Sequence, residues 1–216
     1  MKKTFIALSS LCLLAGCKVD MTSSVGLAEL QKDDISTINT ELSVEVINCN
    51  DFEDSRRESK ELSELKVNVP KVFRNAEFVE CYKKKMESFA IFKVPVTVGK
   101  QKPSDFDIHF GSGQNSLFFI AASQQFRDKL AHFQKRNLTK LDMKINTTVV
   151  NNTQQSFKFK LDNIYLNGKP EMNSRFVYEV NPGEKIPLQL SNVATDGLLR
   201  TEQHYGGVIV MYREDK

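Results

Sequence analysis

The stretch that decides the fold is LDMKINTTVV at residues 141–150, followed by NNT at 151–153, FKFKLDNIYL at 157–166 and NGKP at 167–170. Its β-type runs are separated by Asn-, Gly- and Pro-rich breaks, so it reads as strands joined by tight turns. Toward the C-terminus the texture repeats at Phe176–Val180, Ile186–Leu190 and Val208–Tyr212, punctuated by Asn181-Pro182-Gly183-Glu184 and Asp196-Gly197. Short strands with a turn signal about every ten residues predict a β-sandwich over 138–216.

Toward the N-terminus the texture is mixed. Ser123–Arg136 places Phe126, Leu130 and Phe133 at helical spacing, which predicts a helix packed on a sheet. Gly111-Ser112-Gly113 is a turn, and Leu117–Ala122 is a fully apolar run. Ala76–Tyr82, Phe89–Val98 and Phe106–Phe110 read as strands, the second demoted toward an edge or a bulge by Pro95. Ser55-x-x-Glu58 and the Glu/Lys-rich run to Lys66 predict a capped surface helix with Leu62 and Leu65 as its apolar stripe, the region closing at Pro70. From Glu41 the period is two, with Leu42, Val44 and Val46 on one face of a half-buried strand ending near Cys49. Residues 17–40 are mostly polar and read as a tether with one docking turn at Val25–Leu30. The expected class is α+β: an antiparallel sheet with one or two packed helices over 41–137, then the sandwich, with the two regions free to share one core.

Two resemblances sharpen this. Val149-Val150-Asn151-Asn152-Thr153, Tyr165-Leu166-Asn167-Gly168-Lys169 and Val180-Asn181-Pro182-Gly183-Glu184 are similar to the small immunoglobulin-like or late-embryogenesis-type sandwiches of envelope proteins. That likeness covers the last third of the chain and implies a fold class without an activity. Asn48-Cys49, Asp54-Ser55-Arg56, Val69-Pro70, Val79-Glu80-Cys81 and Glu87-Ser88-Phe89-Ala90 before Val94-Pro95-Val96 resemble a group of lipoproteins from proteobacteria and their prophages. This implies an address and a genomic setting and supplies no catalytic residue.

The first residues give that address directly. Lys2 and Lys3 precede an apolar run from Phe5 to Leu14, too short for the roughly 20 apolar residues that span a bilayer, so it is an export signal. Leu14-Ala15-Gly16-Cys17 resembles the lipobox of bacterial lipoproteins, which implies cleavage of residues 1–16 and acylation of Cys17 with diacylglyceryl and amide-linked (palmitate-type) chains. More than one chain gives stable attachment at about 0.8 kcal/mol per buried methylene. In such lipoproteins Asp after the cysteine retains the protein in the inner membrane; here that residue is Lys18, so an outer-membrane anchor facing the periplasm is expected.

Of the 216 residues, 30 are Lys or Arg and 27 Asp or Glu, and cleavage of the signal removes Lys2 and Lys3, so the mature chain is close to electrically balanced. That argues against nucleic acid as a partner. With Cys12 removed and Cys17 acylated, Cys49 and Cys81 are the remaining pair in an oxidising compartment and are expected to form a disulfide. The most chemically suggestive row is Asp105, Asp107 and His109, which a strand places on one face and which could hold a divalent metal. The same pattern is that of any strand with one wet face, so no metal and no cofactor is expected. Ser63-x-x-Lys66 lacks the companion motifs of penicillin-recognising enzymes, and His109, His132 and His204 fall in different elements. Lys83-Lys84-Lys85 reads as a solvated strand end or a headgroup contact.

The expected function is therefore that of a membrane-anchored, non-enzymatic interaction protein of the envelope, prophage-encoded in one setting, whose partner is an envelope protein or an incoming phage or toxin protein. The alternatives are phage superinfection exclusion or toxin immunity, and a metal-dependent periplasmic hydrolase built on Asp105, Asp107 and His109.

Overall fold

The computed structural model describes residues 18–137, 141–171, 176–202 and 206–214. Strands β1 (Lys18–Gly26), β2 (Ser36–Val46), β3 (Glu77–Lys84), β4 (Glu87–Val98), β5 (Ile108–Gly111) and β6 (Ser116–Ala122) precede β7 (Asp142–Val150), β8 (Phe157–Leu161), β9 (Ile164–Leu166), β10 (Lys169–Glu171), β11 (Tyr178–Val180), β12 (Lys185–Leu190) and β13 (Gly207–Arg213). Helices α1 (Leu27–Leu30), α2 (Lys60–Val72), α3 (Gln124–Asn137) and α4 (Asn192–Leu199) lie between them. The strands form one sheet in the order β10-β9-β12-β7-β1-β2-β4-β5-β6-β13-β8-β11, with β3 paired to β4 beside that path.

The α+β class holds, but the sheet is mixed: β1 runs parallel to β7 and β4 parallel to β5. Strand pairing also crosses the boundary expected at residue 137, since β1 lies beside β7 and β13 beside β6. The buried apolar residues of both regions accordingly form one cluster that includes Phe92, Phe118, Phe159 and Leu188.

The strands of the last third belong to the same curled sheet as the rest. One continuous segment, residues 157–166, bends at Asn163, whose φ of 61° lies in the left-handed region that Asn tolerates. Before the bend β8 pairs with β13 and β11; after it β9 pairs with β12 and β10. These neighbours lie at opposite ends of the strand order, so the bent segment joins the ends and curls the sheet around its core.

The tether reading of residues 17–40 is corrected. Val19, Met21, Ser23 and Val25 alternate inward along β1, and the polar Thr22-Ser23-Ser24 conceals the period because Ser23 is buried with its hydroxyl donating to Thr147 Oγ1 at 2.9 Å. A buried hydroxyl that keeps its hydrogen bond fits an otherwise apolar face. Asn152, just after β7, fixes the other end: its side chain donates to Glu29 and accepts from the Ala28 N–H at 2.9 Å.

The first long helix starts later than expected. Ser59, not Ser55, caps α2 by accepting from the Leu62 N–H at 3.1 Å, because residues 50–58 close on themselves through the Asn50–Glu58 bridge and the Asp51 N–H to Arg57 carbonyl bond. The helix also runs through Pro70 to Val72. Pro95 stands where β4 is locally an edge, as the sequence predicts. It falls after the β3 pairing ends at Lys93 and before the β5 pairing begins at Thr97, in the interval where β4 has β2 as its neighbour. Asp196-Gly197, expected as a turn, lies inside α4, which Ser191 caps by accepting from Ala194 N–H. Helices α2 and α3 pack against each other, and α4 lies against β6, β7 and β13. No helix among the described residues is long and apolar enough to cross a membrane.

Candidate functional site

Asp105, Asp107 and His109 do not converge. Asp107 is buried, and its carboxylate accepts from the Arg74 backbone N–H at 2.6 Å and from Arg74 Nε at 3.1 Å, with Lys129 Nζ 3.7 Å away. Exposed Asp105 takes Arg74 Nη1. That hydrogen bond holds the Asp105 carboxyl below the usual carboxylate range. Arg74 follows α2 and Lys129 lies on α3, so Asp107 ties both helices to the start of β5. A divalent ion would have to displace both cations, and no cluster of metal-ligating side chains occurs among the described residues.

His109 is fully buried on β5, between the rings of Phe106 and Phe119. Its Nδ1 lies 3.0 Å from Thr97 Oγ1, whose hydroxyl donates to the Ile108 carbonyl; the imidazole therefore donates through Nδ1. Nε2 has no partner among the described residues. Burial pushes the imidazole down to about 4, so it is neutral at physiological pH and acts as a core group.

The remaining sequence candidates separate similarly. Ser63 Oγ donates to the Ser59 carbonyl while Lys66 pairs with Glu58 at 2.7 Å and lies over the Phe78 ring, so they form no dyad. His132 is exposed on α3. Ser112 in the glycine-flanked turn donates to the Leu30 carbonyl at 2.8 Å. Cys49 and Cys81 form a disulfide, with Cα atoms 5.6 Å apart. Cys17, the signal residues and His204 lie outside the described residues.

An apolar cleft of about 40 Å³ lies between α2, α3 and the sheet, lined by residues such as Val19, Leu65, Val72 and Met143. It is closer to a core seam than to a ligand chamber, which typically measures roughly 300–1,000 Å³. A wider depression of about 400 Å³ carries Gln134, Thr195, Asp196, Arg200, Thr201 and Glu202 on its wall.

The surface is more informative. Among large apolar side chains left in water, Ile47, Phe52, Val67, Val79, Tyr82 and Met86 all fall within residues 47–86, and Phe52 is 82% exposed. The Cys49–Cys81 bond fastens the loop that carries Phe52 to β3. No polar motif marks these side chains in the sequence; the available signal is a cysteine pair flanked by apolar residues in a charged segment. Val79 sits at the irregularity of β3, between Phe78 and Glu80, and the strand also carries Glu77, Lys83 and Lys84. A bulge and charges are what keep a sheet edge from pairing with another strand, so the patch offers side chains rather than a ladder.

The family model described as Domain of unknown function (DUF7424) matches residues 19–216. No curated protein and no solved structure matches the chain.

Proposed function

We propose for this chain, which belongs to the DUF7424 family, the role of a lipid-anchored envelope protein that faces the periplasm, binds another protein and is not an enzyme. The observation that supports it is that Ile47, Phe52, Val67, Val79, Tyr82 and Met86 are all exposed within the stretch 47–86 that the Cys49–Cys81 disulfide ties together. The anchor rests on the Leu14–Cys17 motif, and Lys18 after the cysteine favours the outer membrane. We read the strands after residue 138, drawn together by the bent 157–166 segment, as the sandwich-like part of the envelope fold. Exclusion of a phage or neutralisation of a toxin is the more specific form of the same reading, decided by the partner's identity.

A photo-crosslinking residue at position 52 in intact cells tests the reading. A discrete adduct is expected there and not at position 193 on exposed α4, and it should vanish in Cys17→Ser if presentation at the membrane is required. No adduct at position 52, or equal adducts at both positions, contradicts the proposed surface.

A further inference from the structure

We propose that the tip of the β3–β4 hairpin, Lys83–Met86, together with Ile47, rests on an anionic phospholipid surface and sets the orientation of the anchored domain. The inference depends on the reading of Cys17 as the lipidated residue. Strand β1 begins at Lys18, the residue that follows Cys17 in the sequence. Lys18 Nζ lies 3.1 Å from Glu87 and 3.6 Å from Glu45, which places the start of β1 beside the base of the hairpin. The ladder gives the levels: Val19 pairs with Val44, and Glu45 with Phe89, which pairs in turn with Tyr82. The turn at Lys85 and Met86 lies three residues past Tyr82, a projection of about 10 Å beyond the level of Lys18 at roughly 3.3 Å per residue. A domain held at residue 17 meets the bilayer with this tip.

The chemistry of the tip fits such a surface. Met86 is 90% exposed and Ile47, at the adjacent end of β2, is 74% exposed. Lys85 holds a φ of 58°, a turn position where glycine is the least strained choice, yet a cationic side chain occupies it. Among the described residues Lys83, Lys84 and Lys85 have no carboxylate in an ion pair, because the neighbouring Glu45 and Glu87 are both taken by Lys18. Asp142, paired in register with Lys18, and Glu61, which accepts from the Ile47 N–H at 2.8 Å, are further acids near that end. Basic residues close to an anionic leaflet strengthen binding by about fivefold each, so the triplet contributes on the order of a hundredfold.

The chain contains no tryptophan, so Met86→Trp introduces a single reporter. The acylated full-length mature protein carrying it is placed in vesicles of phosphatidylglycerol and phosphatidylcholine, or of phosphatidylcholine alone, with brominated lipid as quencher; Val193→Trp on exposed α4 is the control. In anionic vesicles the indole at position 86 is expected to shift to the blue and lose at least half its emission to the quencher, with the control unquenched. Lys83→Glu, Lys84→Glu and Lys85→Glu together should restore most of the emission while flotation and acyl mass stay unchanged. An unquenched indole at position 86 in protein that floats with vesicles and carries acyl mass overturns the orientation and leaves the anchor intact. Absence of acyl mass on Cys17 overturns the anchor and the orientation with it.

Discussion

Around β5 the fold takes Asp107, His109 and Ser112 out of water, whereas the segment from 47 to 86 leaves Ile47, Phe52 and Met86 in it. In the first region the polar groups are committed: Asp107 to Arg74 and Lys129, His109 to Thr97, Ser112 to the Leu30 carbonyl. In the second, apolar side chains hang from a disulfide-fastened loop and an exposed hairpin. The contrast teaches where to look for function. Buried polar residues tied to protein partners hold the fold together, and the surface offered to an outside partner is the apolar one.

The comparison can be broken most forcefully at the staple. Cys49→Ala with Cys81→Ala opens a loop spanning a sequence separation of 32. It should lower unfolding free energy by about 3–4 kcal/mol on the chain-entropy account, read as a drop in the urea midpoint, and should also abolish crosslinking from position 52. Asp107→Ala leaves Arg74 and Lys129 facing each other without their shared buried carboxylate. A loss of about 3 kcal/mol is expected in the same measurement, with the crosslink from position 52 retained in the folded fraction.

A pH series sharpens the first half of the contrast. The His109 pKa is depressed from 6.5 to about 4 in the fold, so between those values the unfolded chain binds more protons and stability rises with pH. The stabilisation is fully present above about pH 6.5 and is lost as the pH falls toward 4; at pH 5 the deficit is about 2 kcal/mol. His109→Gln should flatten that part of the urea-midpoint profile, and an unchanged slope in the variant contradicts the assignment of His109 as a neutral core group. Smaller still is Ser59→Ala, which removes the α2 cap and should cost about 1 kcal/mol. Phe52→Ser should change stability by less than about 0.5 kcal/mol while removing partner binding, the separation that a surface residue with a purely external role requires.

Much of the fold was legible where local period and packing agree. Strand β7 with its Asn151 turn, the apolar β6 and the helix carrying Phe126 and Leu130 stand close to where the sequence places them. What escaped was decided by tertiary contacts. Residues 18–26 become a strand because Ser23 finds Thr147 across a parallel pairing that no local pattern announces. Gly197 is carried inside α4 because one face of that helix packs against β6, β7 and β13, and packing overrides its poor propensity. The bend at Asn163 turns an apparently simple run of strands into the segment that closes the sheet. At the candidate site, the disulfide was legible from cysteine arithmetic, whereas the fate of Asp105, Asp107 and His109 depended on Arg74 and Thr97, residues with no sequence signal linking them to that row.

The anchored interaction protein is tested most directly by mass spectrometry of the intact mature chain from fractionated membranes, with Cys17→Ser alongside and thiol alkylation to probe Cys49 and Cys81. The account predicts a chain that begins at Cys17, carries acyl mass, resides in the outer membrane and offers no free thiol, with Cys17→Ser lacking the acyl mass. A soluble, unlipidated wild-type chain would contradict it.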